Sequence, residues 1–268
     1  MTVGEVLRRA SGYLEERGVE SPRLDAELLL GKALGRSRLD LYLEHDRPLD
    51  ESELAACRKL LERRGQREPL AYVLGEWGFR RLTLRVDERV LIPRPETEVV
   101  VGRALELLEG SAEPRVLDLG TGSGAIALAI VDEHPGARVT GVDRSTDALT
   151  VARANAERLG LAVELREGGV EVTEEGWDLV VSNPPYVAPD ELESLQPEIH
   201  REPLEAVVDE GLHAAIARRA RTNWLVLEIG DGQAQRVARE LENGGYEGIR
   251  ITKDLTGTDR VVEGRWSR

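Results

Sequence analysis

Val116-Leu117-Asp118-Leu119-Gly120-Thr121-Gly122-Ser123-Gly124 decides the fold. An apolar run enters a glycine-rich turn, and residues 123–132 then take up helical periodicity. Strand, turn and helix in that order are half of a parallel βαβ unit. The glycines allow close approach of a ligand to the backbone and supply N–H donors at a helix N-terminus. Their spacing is G-x-G-x-G, whereas the dinucleotide fingerprint is G-x-G-x-x-G, so pyrophosphate fits poorly. The bland alternative is a glycine-rich turn without a ligand.

Working outward, strand and helix alternate. Residues 138–142, 163–166, 177–181 and 224–229 read as strands, with helices at 146–159, 213–221 and 233–241. Residues 246–252 and 260–263 read as two closing strands. This predicts an α/β domain with a mostly parallel sheet covered on both faces, and ligands at the carboxyl ends of its strands. Gly141-Val142-Asp143 ends the second strand, where an acid can accept both hydroxyls of a ribose. A helix N-cap at Asp143 or Ser145 is the structural alternative.

Asn183-Pro184-Pro185-Tyr186 follows the strand at 177–181. Two prolines stiffen the backbone, remove N–H donors and leave carbonyls free to accept. Asn183 adds a side-chain carbonyl and Tyr186 a flat aromatic face. Two acceptors and a ring can hold a planar –NH2 group with its lone pair aimed at an electrophile. In the expected sheet this corner lies beside the glycine loop and Asp143, so the three converge on one crevice.

The chain has 268 residues, 41% hydrophobic and 32% charged, with a net charge of −14. It has room for one large domain or a large and a small one. The acidic balance and the lack of a basic stripe oppose nucleic acid as the main partner. Cys57 is the single cysteine, which excludes an intramolecular disulfide and a cysteine metal cluster. It shares the spacing of Leu54, Leu60 and Leu61, as a core residue would. The four histidines lack metal-ligand spacing. No signal peptide or membrane span is read, so a cytoplasmic protein is expected.

The first 75 residues read as helices. Thr2 and Glu5 have capping-box spacing, as do Asp50 and Glu53. Ser21-Pro22 opens a helix expected to turn Leu24, Leu28 and Leu29 inward, and Pro69 starts a last turn through Leu74. From Trp77 to Ile92 the period changes to two, predicting a β-hairpin turning at Asp87-Glu88, with Pro95 opening the next helix.

The glycine loop resembles the first motif of S-adenosylmethionine-dependent methyltransferases. With Asp143 and NPPY, the chain resembles the release factor glutamine methyltransferase family over nearly its whole length. Tyr72-Val73-Leu74-Gly75, Leu91-Ile92-Pro93-Arg94-Pro95-Glu96-Thr97-Glu98, Arg201-Glu202-Pro203-Leu204 and Leu227-Glu228-Ile229-Gly230 carry the likeness, as does the stretch from Thr256 to Arg260. The resemblance implies a Rossmann-like methyltransferase domain with a seven-stranded sheet, and a small helical domain joined to it by the hairpin. The boundaries are then 1–75 for substrate recognition, 76–93 for the hairpin linker and 94–268 for catalysis.

The implied reaction is methylation of the glutamine side-chain amide in the Gly-Gly-Gln motif of peptide chain release factors. S-adenosylmethionine is the donor, S-adenosylhomocysteine the product, and no metal is called for. Gly120, Thr121, Gly122, Ser123 and Gly124 would line the methionine part of the cofactor, and Asp143 would hold its ribose. Asn183 would meet both cofactor and substrate amide, with the Pro184 carbonyl, Pro185 and Tyr186 completing the acceptor site. Arg94 and Phe79 would border the substrate opening, or else serve hairpin packing and a surface ion pair. A monomer without direct nucleic-acid or membrane contact is expected.

Two stretches depart from the family pattern: Glu167-Gly168-Gly169-Val170 near the expected adenine, and Arg221-Thr222-Asn223 where a Gly-Gly turn is usual. An N6-adenine methyltransferase of DNA or RNA acting on a flipped base is the alternative enzyme. Charge and the lack of a target-recognition domain oppose it. A cofactor-binding interaction module without catalysis is a third reading, which Asn183 and Tyr186 oppose.

Overall fold

The computed structural model describes residues 1–267. They divide into two compact units, one of residues 1–75 with 196–201, the other of residues 76–195 and from 202 onward.

The first unit is helical. It comprises α1 (Val3–Glu15), α2 (Pro22–Leu34), α3 (Arg38–Leu43), α4 (Glu51–Gly65) and α5 (Leu70–Leu74). Capping boxes Thr2/Glu5, Ser37/Asp40 and Asp50/Glu53 satisfy the free N–H groups that open α1, α3 and α4. Sequence reading passes over α3, although Ser37-x-x-Asp40 is a signal of its start. Val3, Ala10, Leu14, Ala26, Leu29, Leu30, Leu41 and Cys57 form the core of this unit. Leu24 is a correction, because it is 41% exposed. The inner stripe of α2 runs through Ala26, Leu29 and Leu30, at the three- and four-residue spacing of one helix face. Under the helices Arg64 is buried. Its Nε donates to Asp25 at 2.7 Å and its Nη1 to Glu198 at 2.6 Å. Arg67 donates twice to the same Glu198, at 2.7 and 2.6 Å.

The second unit begins with the hairpin of β1 (Glu76–Phe79) and β2 (Leu82–Arg85), pairing Phe79 with Leu82. The turn is therefore at Arg80-Arg81 rather than Asp87-Glu88, and residues 90–92 are not a strand. Arg80 sits at φ 51, a left-handed conformation. Its guanidinium grips Glu133 and the Glu98 carbonyl, which hold it there. Period-two alternation continues past Arg85 in the sequence, but no strand among the described residues pairs with it there. α6 (Thr97–Leu107) then starts two residues after Pro95.

Seven strands make the main sheet: β3 (Arg115–Leu119), β4 (Arg138–Asp143), β5 (Glu164–Glu167), β6 (Trp177–Ser182), β7 (Thr222–Glu228), β8 (Tyr246–Lys253) and β9 (Asp259–Trp266). Their order is 5-4-3-6-7-9-8. The first five are parallel, and β9 runs antiparallel to both neighbours. The switch point falls at β3, where successive connections depart to opposite sides, and a crevice is expected there.

Alternate residues of each strand enter separate cores. Val116, Leu179, Val181 and Val226 pack with α6 and α7 (Ala125–Glu133) on one face. Leu117, Val180, Leu225 and Leu227 pack with α9 (Leu212–Arg219) and α10 (Ala234–Asn243) on the other. Burial on both faces is why these strands read as continuous apolar runs. Between β4 and β5 runs α8 (Thr146–Leu159). Its buried Asn155 bonds the Arg85 N–H at 2.7 Å, the Arg85 carbonyl at 3.0 Å and the Ser123 carbonyl at 2.9 Å. One side chain thus ties the hairpin to the glycine loop.

The missing Gly-Gly turn is accommodated without a loop. The chain passes from α9 through Ala220 and Arg221 into β7. The Tyr246 hydroxyl donates to the Ala220 carbonyl at 2.9 Å, and the Thr222 hydroxyl donates to Trp177 at 3.0 Å. No helix among the described residues is long and apolar enough to cross a membrane.

Candidate active site

At the end of β3 the chain turns sharply onto β4. The N–H groups of Gly120 and Thr121 donate to the Val142 carbonyl at 2.8 and 2.9 Å, and that of Gly122 to Asp143 at 2.9 Å. These three donors are therefore spent inside the protein, unlike those of a phosphate-binding loop. What the loop offers a ligand is its open face. Gly120 and Gly122 have φ of 75 and 54, and a Cβ on either would meet nothing within 4 Å.

Asp118 shapes this loop and was missed as a site residue. It is fully buried, and its Oδ2 accepts from the Thr121 hydroxyl at 2.6 Å and the Ala127 N–H at 3.0 Å. Its signal was visible, an acid inside an apolar strand. Burial pushes its carboxyl up from 3.8 to about 7. The unfolded chain loses that proton near pH 4 and the folded chain near 7. Between those values the folded state binds more protons, so stability falls as pH rises through the window, on the order of 1.4 kcal/mol per pKa unit. Asp118→Asn is expected to remove this slope. Urea midpoints at pH 4.5, 6 and 8 should move in the variant's favour as pH rises; parallel curves would show that Asp118 does not titrate there.

Asp143 holds the end of β4. Its Oδ1 accepts from Ser145 N–H at 2.9 Å and its Oδ2 from Gly122, while Ser145 itself caps α8. Burial raises its carboxyl, opposed by those backbone donors. Each oxygen retains a lone pair, so the structural and ligand-binding readings coexist. Beyond β5, the Gly168 N–H donates to the Asp143 carbonyl at 3.1 Å, which brings the 167–170 stretch to the same rim.

Residues 183–186 leave β6 beside the loop, since Leu119 pairs with Ser182. Ser182 ties the strands further, its hydroxyl donating to the Leu119 carbonyl at 2.7 Å. Asn183 Nδ2 donates to Thr97 Oγ1 at 3.1 Å. This orientation leaves Oδ1 as the outward acceptor, and no described residue donates to it. Pro184 is buried, and Tyr186 is held from two sides. Gln233 Nε2 donates to the Tyr186 carbonyl at 2.8 Å, and Gln233 Oε1 accepts from Gly230 N–H at 3.2 Å. Gly230 lies under the ring, where a Cβ would stand 3.0 Å from Tyr186 Cδ2.

Of the two residues expected at the opening, Phe79 is corrected: it is 1% exposed and packs in the core beside Leu82 and Leu84. The hairpin needs it as an anchor against the sheet. Arg94 is about one-third exposed and pairs with Glu202, whose buried carboxylate also accepts from Ile92 N–H at 3.0 Å. Glu202 thereby fixes the Pro93–Pro95 corner. Thr97, Glu202 and Glu228 stand in the quoted motifs but were given no role there.

The structure brings Gly120, Thr121, Gly122, Asp143, Asn183 and Tyr186 to the carboxyl ends of β3, β4 and β6. Solved methyltransferases share the fold. A T. thermophilus 16S rRNA methyltransferase in complex with AdoMet and guanosine aligns with a TM-score of 0.54 at 19% identity, covering 72% of this chain and 50% of that one. The hMettl16 catalytic domain in complex with a 3′UTR hairpin aligns with 0.55 at 16% identity, covering 69% and 76%. The fold is the Rossmann-like one of these methyltransferases.

Residues 5–75 match the PrmC N-terminal domain and residues 103–239 the methyltransferase small domain. A release factor glutamine methyltransferase of Geobacter sulfurreducens is 43% identical over 276 residues, covering 98% of this chain and 96% of the relative. One of Chlorobaculum tepidum is 39% identical, covering 97% and 95%. The chain belongs to the release factor glutamine methyltransferase family.

Proposed function

We propose that this protein transfers a methyl group from S-adenosylmethionine to the side-chain amide nitrogen of the Gly-Gly-Gln glutamine in peptide chain release factors. The observation that carries the reading is Asn183, whose Nδ2 donates to Thr97 and leaves Oδ1 free to accept, with Tyr186 close by and an open glycine loop on the neighbouring strand. A glutamine –NH2 donates two hydrogens, and two fixed acceptors with a ring over its plane orient the nitrogen. When bound, the cofactor supplies an electrophilic sulfonium methyl. The protein's part is to align the lone pair and exclude water, which lowers the barrier by positioning.

The residues that would hold the cofactor are Gly120 and Gly122 through their open faces, Ser123 and Gly124 at the start of α7, and Asp143 at the ribose. Gly122→Ala tests this. A side chain at φ 54 strains the turn and fills the open face. The unliganded variant should lose about 1 kcal/mol, and S-adenosylmethionine affinity, measured by calorimetry, should fall at least tenfold, or about 1.4 kcal/mol. Unchanged affinity would move the cofactor elsewhere.

The function is tested by tritiated methyl transfer to a purified bacterial release factor and to its Gln→Ala variant in the Gly-Gly-Gln motif. Label on the first alone establishes the acceptor. Label on neither, with cofactor bound, overturns the reading and turns attention to adenine in oligonucleotides. We further propose that the helical unit recognises the release factor, and that the enzyme works as a cytoplasmic monomer.

A further inference from the structure

Seven large apolar side chains are exposed among the described residues, and four of them gather in one place on the helical unit. Leu24 is 41% exposed, Leu39 66%, Tyr42 49% and Leu43 76%. Leu39, Tyr42 and Leu43 are spaced i, i+3 and i+4, so they form one ridge along α3, while the buried Leu41 roots the helix in the core. Leu24 lies one turn before Glu27 on the same side of α2, and Glu27 reaches across to α3. Apolar residues scattered singly are ordinary on a surface, but four together mark a place of contact.

The ridge is braced from beneath. The buried Glu27 accepts from the Tyr42 hydroxyl at 2.7 Å and Arg23 Nε at 3.1 Å through Oε1. Through Oε2 it accepts from Arg38 Nε at 2.9 Å and Nη2 at 2.5 Å. Arg23 Nη2 also donates to the Tyr42 hydroxyl at 3.2 Å. The carboxylate is thus inside while both arginine side chains are largely exposed, so the charge shown to solvent beside Leu24 and Tyr42 is positive. The acids of this stretch are engaged locally, Asp40 at the cap with Ser37 and Glu44 with Arg36 and Arg47.

We infer that α3 is the ridge by which the helical unit docks on the release factor, and that it seats in an apolar groove rimmed by carboxylates on that protein. The inference rests on the proposed release-factor substrate. Apolar anchors at i, i+3 and i+4 are what a helix presents to a groove. Tyr42, held by two hydrogen bonds, is ordered before the partner arrives, which lowers the entropy lost on binding. Charge selects the partner. A chain of net charge −14 repels an acidic surface in general, whereas Arg23 and Arg38 attract one here. A second copy fits badly, because a two-fold contact would set Arg23 and Arg38 against their own counterparts.

The side chains of Leu39 and Leu43 are exposed, so replacing them leaves the fold intact. Leu39→Ala with Leu43→Ala should raise KM for release factor about tenfold, as loss of anchors at an interface does. The saturated kcat, S-adenosylmethionine affinity and urea midpoint should hold, since α3 lies outside the catalytic unit. Charge is tested by Leu43→Glu against Leu43→Lys. The Glu variant should raise KM well beyond the Lys variant, and high salt should narrow the gap. A Lys variant as impaired as the Glu variant overturns the acidic rim.

Calorimetry with the Gln→Ala release factor separates docking from chemistry. Binding by the wild type that is lost in the double alanine variant supports the ridge even where no methyl is transferred, and then only the acceptor assignment falls. Wild-type KM and affinity in the double alanine variant overturn the inference. So does a wild-type dimer, seen by sedimentation, that the same substitutions dissolve, because α3 would then serve a second copy. A wild type that neither binds nor methylates release factor overturns both readings.

Discussion

Asn183→Ala is expected to lower methyl transfer to release factor by about 100- to 1,000-fold, the effect of removing one preorganised hydrogen-bonding group from a reacting centre. The truncation removes Oδ1, the acceptor proposed above for one amide hydrogen, and leaves Thr97 without its donor. The loss should fall mainly on kcat, since alignment matters most where the nitrogen meets the methyl. Folding should survive. Asn183 is only partly buried, and the strand beside it is secured by the Ser182 hydroxyl and the Leu119–Ser182 register. Tritium transfer under single-turnover conditions checks this, with cofactor affinity measured in parallel. A variant within threefold of wild type would mean that Pro184 and Tyr186 orient the amide alone.

Arg64→Met should destabilise the helical unit by about 3–5 kcal/mol, the usual result of removing one member of a buried ion pair. Arg64 is 6% exposed and answers two carboxylates, Asp25 at 2.7 Å and Glu198 at 2.6 Å. Glu198 keeps Arg67 in the variant, and Asp25 keeps nothing equivalent. Burial already raises the Asp25 carboxyl against the pull of Arg64, so an unpaired Asp25 takes up a proton more readily still. The penalty should accordingly shrink as pH falls, and Asp25→Asn combined with Arg64→Met should recover much of it. Urea unfolding of the full chain at two pH values measures both. A loss under about 1 kcal/mol would place the pair among solvent-screened surface bridges.

The parallel sheet was legible because its central strands are buried on both faces and three of its helices are announced by Gly124, Ser145 and Gly211. Val116–Leu119 and Leu179–Val181 need no partner to be read as core. The hairpin was half legible: its alternation shows, but the turn depends on Arg80 adopting a left-handed conformation, which Glu133 and Glu98 enforce from another element. Phe79 misled for the same reason. An aromatic residue beside a functional motif looks like a site residue until the sheet is seen to bury it. The candidate site residues at the strand ends, Gly120, Gly122, Asp143 and Asn183, were named through motif and spacing. Their neighbours Asp118, Thr97, Glu202 and Gln233 were not, because the sequence shows a polar residue but not the distant group it meets.

By itself the sequence determined the class of fold, the glycine loop, Asp143 and the Asn183–Tyr186 corner, because each rests on local chemistry: hydrophobic period, backbone freedom at glycine, rigidity at proline. The tertiary structure alone decided which group the Asn183 amide meets, which partners the buried Asp118 carboxyl has, and where the hairpin turns. Those depend on groups far apart in the chain but adjacent in a dry interior, where a hydrogen bond has direction and a charge has a cost.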